Sequence, residues 1–364
     1  MQFSNTITPF MPLVDKKFIL DVSNINEESV VFDKICSNAE LFSSGRDALL
    51  RAIKIALNSR NDGSNRARKI FLPRYFCPWV IKSVLSQHCV RVEFFDDLPT
   101  SKTPDFSTLN AEDGDIVVAV NYFALRDFSV WDKWKSKHKD VVLIADFSHC
   151  PFSRLAQKTN ADFVFASLRK TLPLCDGGYL KGNFTPNKMY LKAGEGCEFS
   201  FAYIYSAALA QIDYQTARDY YYNAEMRLNA KRSISRISFC SFNILKSLNL
   251  ISLWEQRSCV ADVFKDSLGQ NEHFCVLENK NLSADVFSRF CPTLYFKDVS
   301  LRDKAYASLS EVGILSSIYW GAKFLEGSRA KEESSRLMTI PLDFRHTQED
   351  AKKVADVLNK TLKI

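Results

Sequence analysis

Short apolar segments alternate with amphipathic segments over the first half of the chain. Near-continuous apolar runs, rich in Val, Ile, Leu and Phe, predict strands at residues 69–72, 90–95, 115–123, 141–147 and 161–168. A 3.6-residue period places Leu49 and Ile53 on one face of a helix that Ser44 can cap. Further helices are predicted from Pro78 and over residues 128–137. Strands that are apolar on both faces and alternate with helices are typical of a parallel sheet covered on both sides, so the pattern predicts an α/β fold.

The second half of the chain has a different pattern of hydrophobic and polar residues. Residues 195–260 contain no proline and are rich in Ala, Tyr, Arg and Leu, which favours helices. Beyond residue 270 the pattern predicts strands and helices in mixed order, at 292–296, 301–311, 337–340 and 348–358, with Thr347 as the N-cap of the last helix. We therefore expect an N-terminal arm (1–40), a large α/β domain (41–260) and a small α+β domain (261–364).

Composition excludes several classes of protein. The 364 residues are 46% hydrophobic and 25% charged, with a net charge of +6 that is spread along the chain. Neither nucleic acid nor a membrane is therefore an expected partner, and no segment has the pattern of a signal peptide or a membrane span. The ten cysteines form no C-x-x-C pair, and the five histidines show no metal-ligand spacing. These features predict a cytoplasmic protein without a metal site.

An acid and a lysine each follow the end of a predicted strand. Asp146 ends the apolar run at 141–147, and Lys170 follows the run at 161–168 and precedes Gly177-Gly178. Open parallel sheets place their ligand sites beyond such strand ends. Pyridoxal phosphate requires this pair, because a lysine holds it as a Schiff base and an acid faces its pyridine nitrogen. From spacing alone, however, Lys170 is more often a solvated charge, and Asp146 is equally well explained as a helix cap or a core ion pair.

Three further groups of residues could complete such a site. Ser44, Gly45 and Arg46 precede a helix, and backbone N–H groups at a helix start bind phosphate. The same serine and glycine also suit an ordinary helix cap, and Ser167, three residues before the lysine, is a second candidate phosphate ligand or a plain strand-end serine. His149 could contact a ring oxygen or be a satisfied interior histidine.

Aromatic and amide side chains after two other predicted strands are weaker candidates. Tyr75 or Phe76, after the strand at 69–72, could stack on a planar ring, although aromatic residues at strand ends more often belong to the core. Asn121 ends the strand at 115–123 and could point into the same crevice.

The order of these features resembles that of fold-type I pyridoxal phosphate enzymes, and most closely the DegT/DnrJ/EryC1/StrS aminotransferase family. The resemblance spans residues 40–185, with weaker similarity at 313–314 and 340–342. It implies a three-layer fold with a mainly parallel seven-stranded sheet, a smaller α+β C-terminal domain, and pyridoxal 5′-phosphate as cofactor. The serine stands closer to the lysine than in the sugar aminotransferases of this family, and residues 195–230 differ, so the chain resembles a divergent member.

The resemblance also implies roles for individual residues. Lys170 corresponds to the lysine that holds the cofactor and moves protons, and Asp146 to the acid opposite the pyridine nitrogen. His149 corresponds to the residue beside the ring oxygen, and Gly45 and Arg46 to the phosphate-binding turn. A homodimer is implied as well, because members of the family have sites at the subunit interface.

Three functions remain open at this point. The first is an aminotransferase that uses an amino donor and a keto acceptor, the acceptor being a keto sugar on a nucleotide in polysaccharide or secondary-metabolite biosynthesis. The second keeps the cofactor but is a lyase, dehydratase or decarboxylase. The third is a binding protein that has the fold without catalysis.

Overall fold

A computed structural model describes residues 38–58, 67–87, 90–185, 214–230, 233–279, 285–320 and 328–363. The predicted N-terminal arm lies almost wholly outside these residues, as does the part of the predicted helical region before Tyr214.

A seven-stranded mixed sheet forms the centre of the structure. Its strands are β1 (Glu40–Phe42), β2 (Lys69–Pro73), β3 (Arg91–Phe95), β4 (Ile116–Val120), β5 (Val142–Asp146), β6 (Phe163–Ser167) and β7 (Gly178–Gly182). The spatial order is β1-β7-β6-β5-β4-β2-β3. The pairs from β6 to β3 are parallel, whereas β7 is antiparallel to both of its neighbours. The parallel strands therefore end at one common edge.

Helices surround this sheet and continue into the second half of the chain. They are α1 (Gly45–Asn58), α2 (Pro78–Gln87), α3 (Ser129–Lys137), α4 (Arg154–Lys158), α5 (Tyr214–Ala230), α6 (Phe239–Ser247), α7 (Leu250–Asp266), α8 (Val299–Glu311), α9 (Arg329–Arg336) and α10 (Gln348–Leu362). The buried face of α1 carries Leu49 and Ile53, which are fully buried against β6 and β7. Ser44 caps this helix, since its Oγ accepts a hydrogen bond from the backbone N–H of Asp47 at 3.1 Å.

A second, three-stranded antiparallel sheet has its own apolar core. It consists of β8 (Phe274–Val276), β9 (Thr293–Phe296) and β10 (Leu337–Thr339), in the order β10-β9-β8. Helix α7 belongs to both cores, because Trp254 packs in the large core while Phe264 packs in the small one. The domain boundary proposed at residue 260 thus falls within a continuous helix.

The fold class predicted from the sequence is confirmed: the chain is α/β, with a mainly parallel seven-stranded sheet and a smaller α+β portion. The strand predicted over 115–123 is shorter, because it stops at Val120 and Tyr122–Ala124 form a 3-10 turn. The Asn121 side chain accepts from the N–H of Arg126 at 3.1 Å and donates to its carbonyl at 3.3 Å, which closes this turn. Strand β8 and helices α4 and α9 are not evident in the hydrophobic pattern.

Within the described ranges, no helix combines the length and apolarity needed to cross a membrane. The same residues contain no cluster of His, Cys, Asp and Glu that could hold a metal ion.

Candidate active site

A cavity of about 510 Å³ opens at the carboxyl ends of β4, β5 and β6, next to the start of α1. Nine of the ten residues singled out from the sequence line it: Ser44, Gly45, Arg46, Phe76, Asn121, Asp146, His149, Ser167 and Lys170. The tenth, Tyr75, is fully buried behind the wall, and its hydroxyl donates to the carbonyl of Tyr319 at 2.8 Å. The predicted residues therefore converge on one cavity, with Phe76 rather than Tyr75 at its surface.

Asp146 is the last residue of β5, and its carboxyl group is buried. Burial raises the pKa of this carboxyl, while the charge of Lys170 and the hydrogen bonds from Ser148 act in the opposite direction. The backbone N–H of Ser148 donates to Oδ1 of Asp146 at 2.8 Å. The Ser148 hydroxyl in turn accepts from the N–H of Ser167 at 3.0 Å, which ties the end of β5 to the end of β6. A cation placed against Asp146 would therefore hold it ionised.

His149 is held in a single protonation state by its surroundings. The backbone N–H of Phe123 donates to Nδ1 of His149 at 2.9 Å, so Nδ1 must lack a proton. Burial, and then the charge of Lys170, lower the pKa of this imidazole well below its ordinary value. The neutral ring therefore carries its proton on Nε2, and this buried atom has no hydrogen-bond partner within the described residues. An N–H donor at the cavity wall without a partner fits the oxygen atom of a bound ligand.

The backbone that holds His149 is strained. Phe123 has a φ of 52° and Ala124 a φ of 62°, both in the left-handed region that non-glycine residues rarely occupy. The Phe123 ring lies almost parallel to the His149 ring, at an interplanar angle of 7° and a centroid distance of 5.2 Å. Such strain persists where the surrounding structure fixes the conformation, and here it fixes the position of the imidazole.

Lys170 ends the short 3-10 turn that follows β6, so its side chain starts from the same edge of the sheet as Asp146. Its charge acts on both Asp146 and His149. The ammonium lies 5.9 Å from the centre of the Trp320 ring, which also packs on Phe76 at 6.3 Å. A primary amine beside a buried carboxyl group and an aromatic face can serve as a nucleophile or move a proton.

Close backbone approaches place the start of α1 against the end of β6. A Cβ atom on Gly45 would lie 2.9 Å from Cβ and N of Ser167. A Cβ atom on Gly178 would lie 2.4 Å from the carbonyl carbon and oxygen of Ser44. Only glycine permits these approaches, which put the positive end of the α1 dipole and two serine hydroxyls on one wall of the cavity.

The structure adds residues to the cavity that the sequence pattern did not indicate. Glu225 reaches it from α5, and its Oε1 pairs with Nη1 of Arg169 at 2.6 Å. Arg345 follows β10, and its Nε donates to Oδ1 of Asp343 at 2.7 Å. Trp320 also comes from the second half of the chain. None of the three lies beside a strand end of the large sheet, so only the folded structure brings them to the site.

The sequence matches no family model and no curated protein. Solved structures do match over nearly the whole chain. The apo form of Spr1654 from Streptococcus pneumoniae, described as a candidate sugar aminotransferase, is 13% identical, with 98% of each chain covered and a TM-score of 0.63. The aminotransferase TlmJ from Streptoalloteichus hindustanus is 13% identical, with 98% of this chain and 99% of that chain covered and a TM-score of 0.66.

DesI, solved in the presence of its TDP-sugar product, is 12% identical, with 99% of this chain and 93% of that chain covered and a TM-score of 0.62. The chain has the fold of these aminotransferases. Spr1654 is also described in PLP and PMP forms, so this fold carries pyridoxal phosphate in that protein.

Proposed function

We propose that this chain is a pyridoxal phosphate-dependent aminotransferase. One observation carries the proposal: Asp146, His149 and Lys170 converge on a single cavity together with the start of α1. The fold supports it, but one fold hosts many reactions, so the residues of the site carry the assignment.

The residues of the cavity fit this cofactor in three respects. Ser44, Gly45 and Ser167 offer hydroxyl and backbone donors to a phosphate at a helix start. Asp146 offers a carboxylate to a protonated ring nitrogen, and that positive charge would offset the burial that raises its pKa. His149 offers an Nε2 proton to a ring oxygen.

Lys170 has the central role in this proposal. When bound, pyridoxal phosphate supplies an electron-accepting ring that stabilises negative charge on the substrate carbon. Lys170 would hold the cofactor through its Nζ and, once released by the amino donor, would carry a proton to and from the substrate carbon. Asp146 would keep the ring nitrogen protonated, and the aromatic side chains would limit access of water.

The substrates are an amino donor and a keto acceptor, and we propose a nucleotide-linked keto sugar as the acceptor. The TDP-sugar product of DesI supports this assignment. We further propose a cytoplasmic homodimer that works in polysaccharide or secondary-metabolite biosynthesis. The family resemblance supports the dimer, and sedimentation of the purified protein tests it.

The visible spectrum of the purified protein with added pyridoxal phosphate tests the cofactor and the lysine together. We expect a visible band in the wild type that is lost in Lys170→Ala. Lys181→Ala is the matched control, because this lysine lies on β7 and does not line the cavity. A band that survives in Lys170→Ala contradicts the assignment of the lysine, and a colourless wild type that takes up no cofactor favours a binding protein.

The reaction type needs a second measurement. Addition of glutamate or another amino donor without an acceptor should remove the visible band and release one keto acid for each site. A lyase or decarboxylase would instead turn over repeatedly while keeping the band. Failure of every amino donor to convert the cofactor would refute transamination.

A further inference from the structure

Two arginines and one glutamate lie beside the start of α1. Nη1 of Arg169 pairs with Oε1 of Glu225 at 2.6 Å, and both side chains are largely buried, with exposures of 18% and 25%. Burial is the main cause that lowers the pKa of Arg46, to which Arg169 adds, whereas the negative charge of Glu225 raises it. All three side chains line the cavity. The three charges therefore form one group.

The position of this group coincides with the place proposed for a phosphate. Arg46 is the second residue of α1, and Arg169 stands between Ser167 and Lys170. A phosphate monoester carries about −1.5 to −2 charges at neutral pH and prefers arginine as its side-chain partner. An anion bound between the start of α1 and the turn after β6 would meet both guanidinium groups.

The negative charge of Glu225 opposes the binding of such an anion. Its carboxylate already accepts from Arg169, so a phosphate at the same guanidinium would stand beside a second negative charge. In a partly buried site that repulsion is large, since water screens it little. A phosphate therefore gains the full charge of Arg169 only when Glu225 leaves it.

We propose that Arg169 is a phosphate-binding residue and that Glu225 is a built-in competitor that occupies it until a phosphate group arrives. Glu225 belongs to α5, a helix remote in sequence from the strands of the large sheet. Binding of phosphate thus breaks a contact between α5 and the turn that carries Lys170. Because the carboxylate and the phosphate compete for one guanidinium, weakening the Arg169–Glu225 pair strengthens phosphate binding.

Inorganic phosphate is the probe for this proposal, measured by isothermal titration calorimetry on the full chain without cofactor. Glu225→Gln keeps the size of the side chain and removes its charge, so the dissociation constant of phosphate should fall about tenfold. Arg169→Gln should raise it by at least about tenfold. Asp262→Asn is the matched control: Asp262 accepts from Nη1 of Arg289 at the same distance of 2.6 Å, and neither residue lines this cavity. The affinity of Asp262→Asn for phosphate should equal that of the wild type.

A second readout follows α5 itself. Amide hydrogen exchange over 214–230 should become faster in wild type when phosphate is added, and should already be fast in Glu225→Gln without phosphate. The proposal is overturned if Glu225→Gln binds phosphate no better than wild type, if Arg169→Gln binds it equally well, or if no variant binds it.

The proposal rests on the proposed function only in naming a phosphate-bearing cofactor. Failure of this proposal can be told apart from failure of the proposed function. Phosphate affinity is measured without pyridoxal phosphate, and the visible band is measured without inorganic phosphate. If the protein stays colourless but Glu225→Gln binds inorganic phosphate tenfold more tightly, the proposed function is wrong and the role of Glu225 as a competitor is supported.

Discussion

Two walls of the same cavity are built in different ways. The anion wall (Ser44, Gly45, Arg46, Ser167, Arg169) comes from the start of α1 and the end of β6, and it depends on backbone atoms in close approach. The aromatic wall (His149, Phe290, Tyr319, Trp320) is made of side chains from three distant segments, and the Phe123 ring packs against His149 from outside the cavity. The first has little room for substitution, whereas the second can adjust, because side chains repack more easily than backbone atoms move apart.

The largest expected effect is on the anion wall. Gly178→Ala would force a methyl group to within 2.4 Å of the Ser44 carbonyl, so the backbone of α1 or β7 must shift. We expect a loss of about 3 kcal/mol in the free energy of unfolding, measured by urea denaturation, together with loss of cofactor uptake.

Gly182→Ala on the same strand is the comparison for Gly178→Ala. Its contacts would be an edge atom of the Phe163 ring at 2.6 Å, which can rotate aside, and one backbone atom, the carbonyl oxygen of Asp162, at 2.8 Å, whereas all the close contacts at Gly178 are backbone atoms at 2.4 to 2.6 Å. Its loss of stability should therefore be clearly smaller. Equal losses in the two variants would show that the close approach to Ser44 has no special cost.

The difference between the walls also explains what the sequence could predict. Ser44, Gly45, Asp146, Ser167 and Lys170 are found from the sequence because each lies at the end of a predicted strand or the start of a predicted helix. Parallel strands bring their ends together without any knowledge of side-chain packing.

The aromatic wall could not be predicted in this way. Trp320 and Phe290 reach His149 only through the packing of the second half of the chain, which no local pattern records. Tyr75 and Phe76 are adjacent aromatic residues after one strand, and sequence alone could not decide which side chain faces the cavity. The positive φ angles of Phe123 and Ala124 also gave no signal, because neither residue is a glycine.

The second prediction concerns His149 and the pH dependence of stability. The unfolded chain binds a proton at this histidine below about pH 6.5, whereas the folded chain does not, because its pKa is lowered. The free energy of unfolding should therefore fall as pH decreases below that value, by up to about 1.4 kcal/mol per pH unit from this group. In His149→Gln the side chain stays neutral, and this part of the pH dependence should disappear.

Other groups titrate in the same range, so the informative quantity is the difference between the two pH profiles. Asp97, which pairs with Arg126 in the core, has a pKa raised by burial to about 7 and contributes in the opposite direction. This contribution is common to both proteins and cancels in the difference. His138→Gln, at the partly buried residue that directly follows α3, measures the effect of replacing a histidine elsewhere. Parallel profiles for wild type and His149→Gln would show that the folded protein protonates this imidazole.

The smallest expected effect comes from the hydrogen bond that the Tyr75 hydroxyl makes behind the aromatic wall. Tyr75→Phe removes the hydroxyl that donates to the carbonyl of Tyr319, and this partly buried carbonyl loses that partner. We expect a loss of about 1 kcal/mol in stability by urea denaturation, and little change in the affinity for cofactor.

Tyr122→Phe is the matched variant, since its buried hydroxyl donates to the carbonyl of Tyr75 at 2.7 Å. If the aromatic wall adjusts as argued, both variants should keep the visible band. A Tyr75→Phe variant that loses cofactor as completely as Gly178→Ala would mean that the two walls are equally rigid.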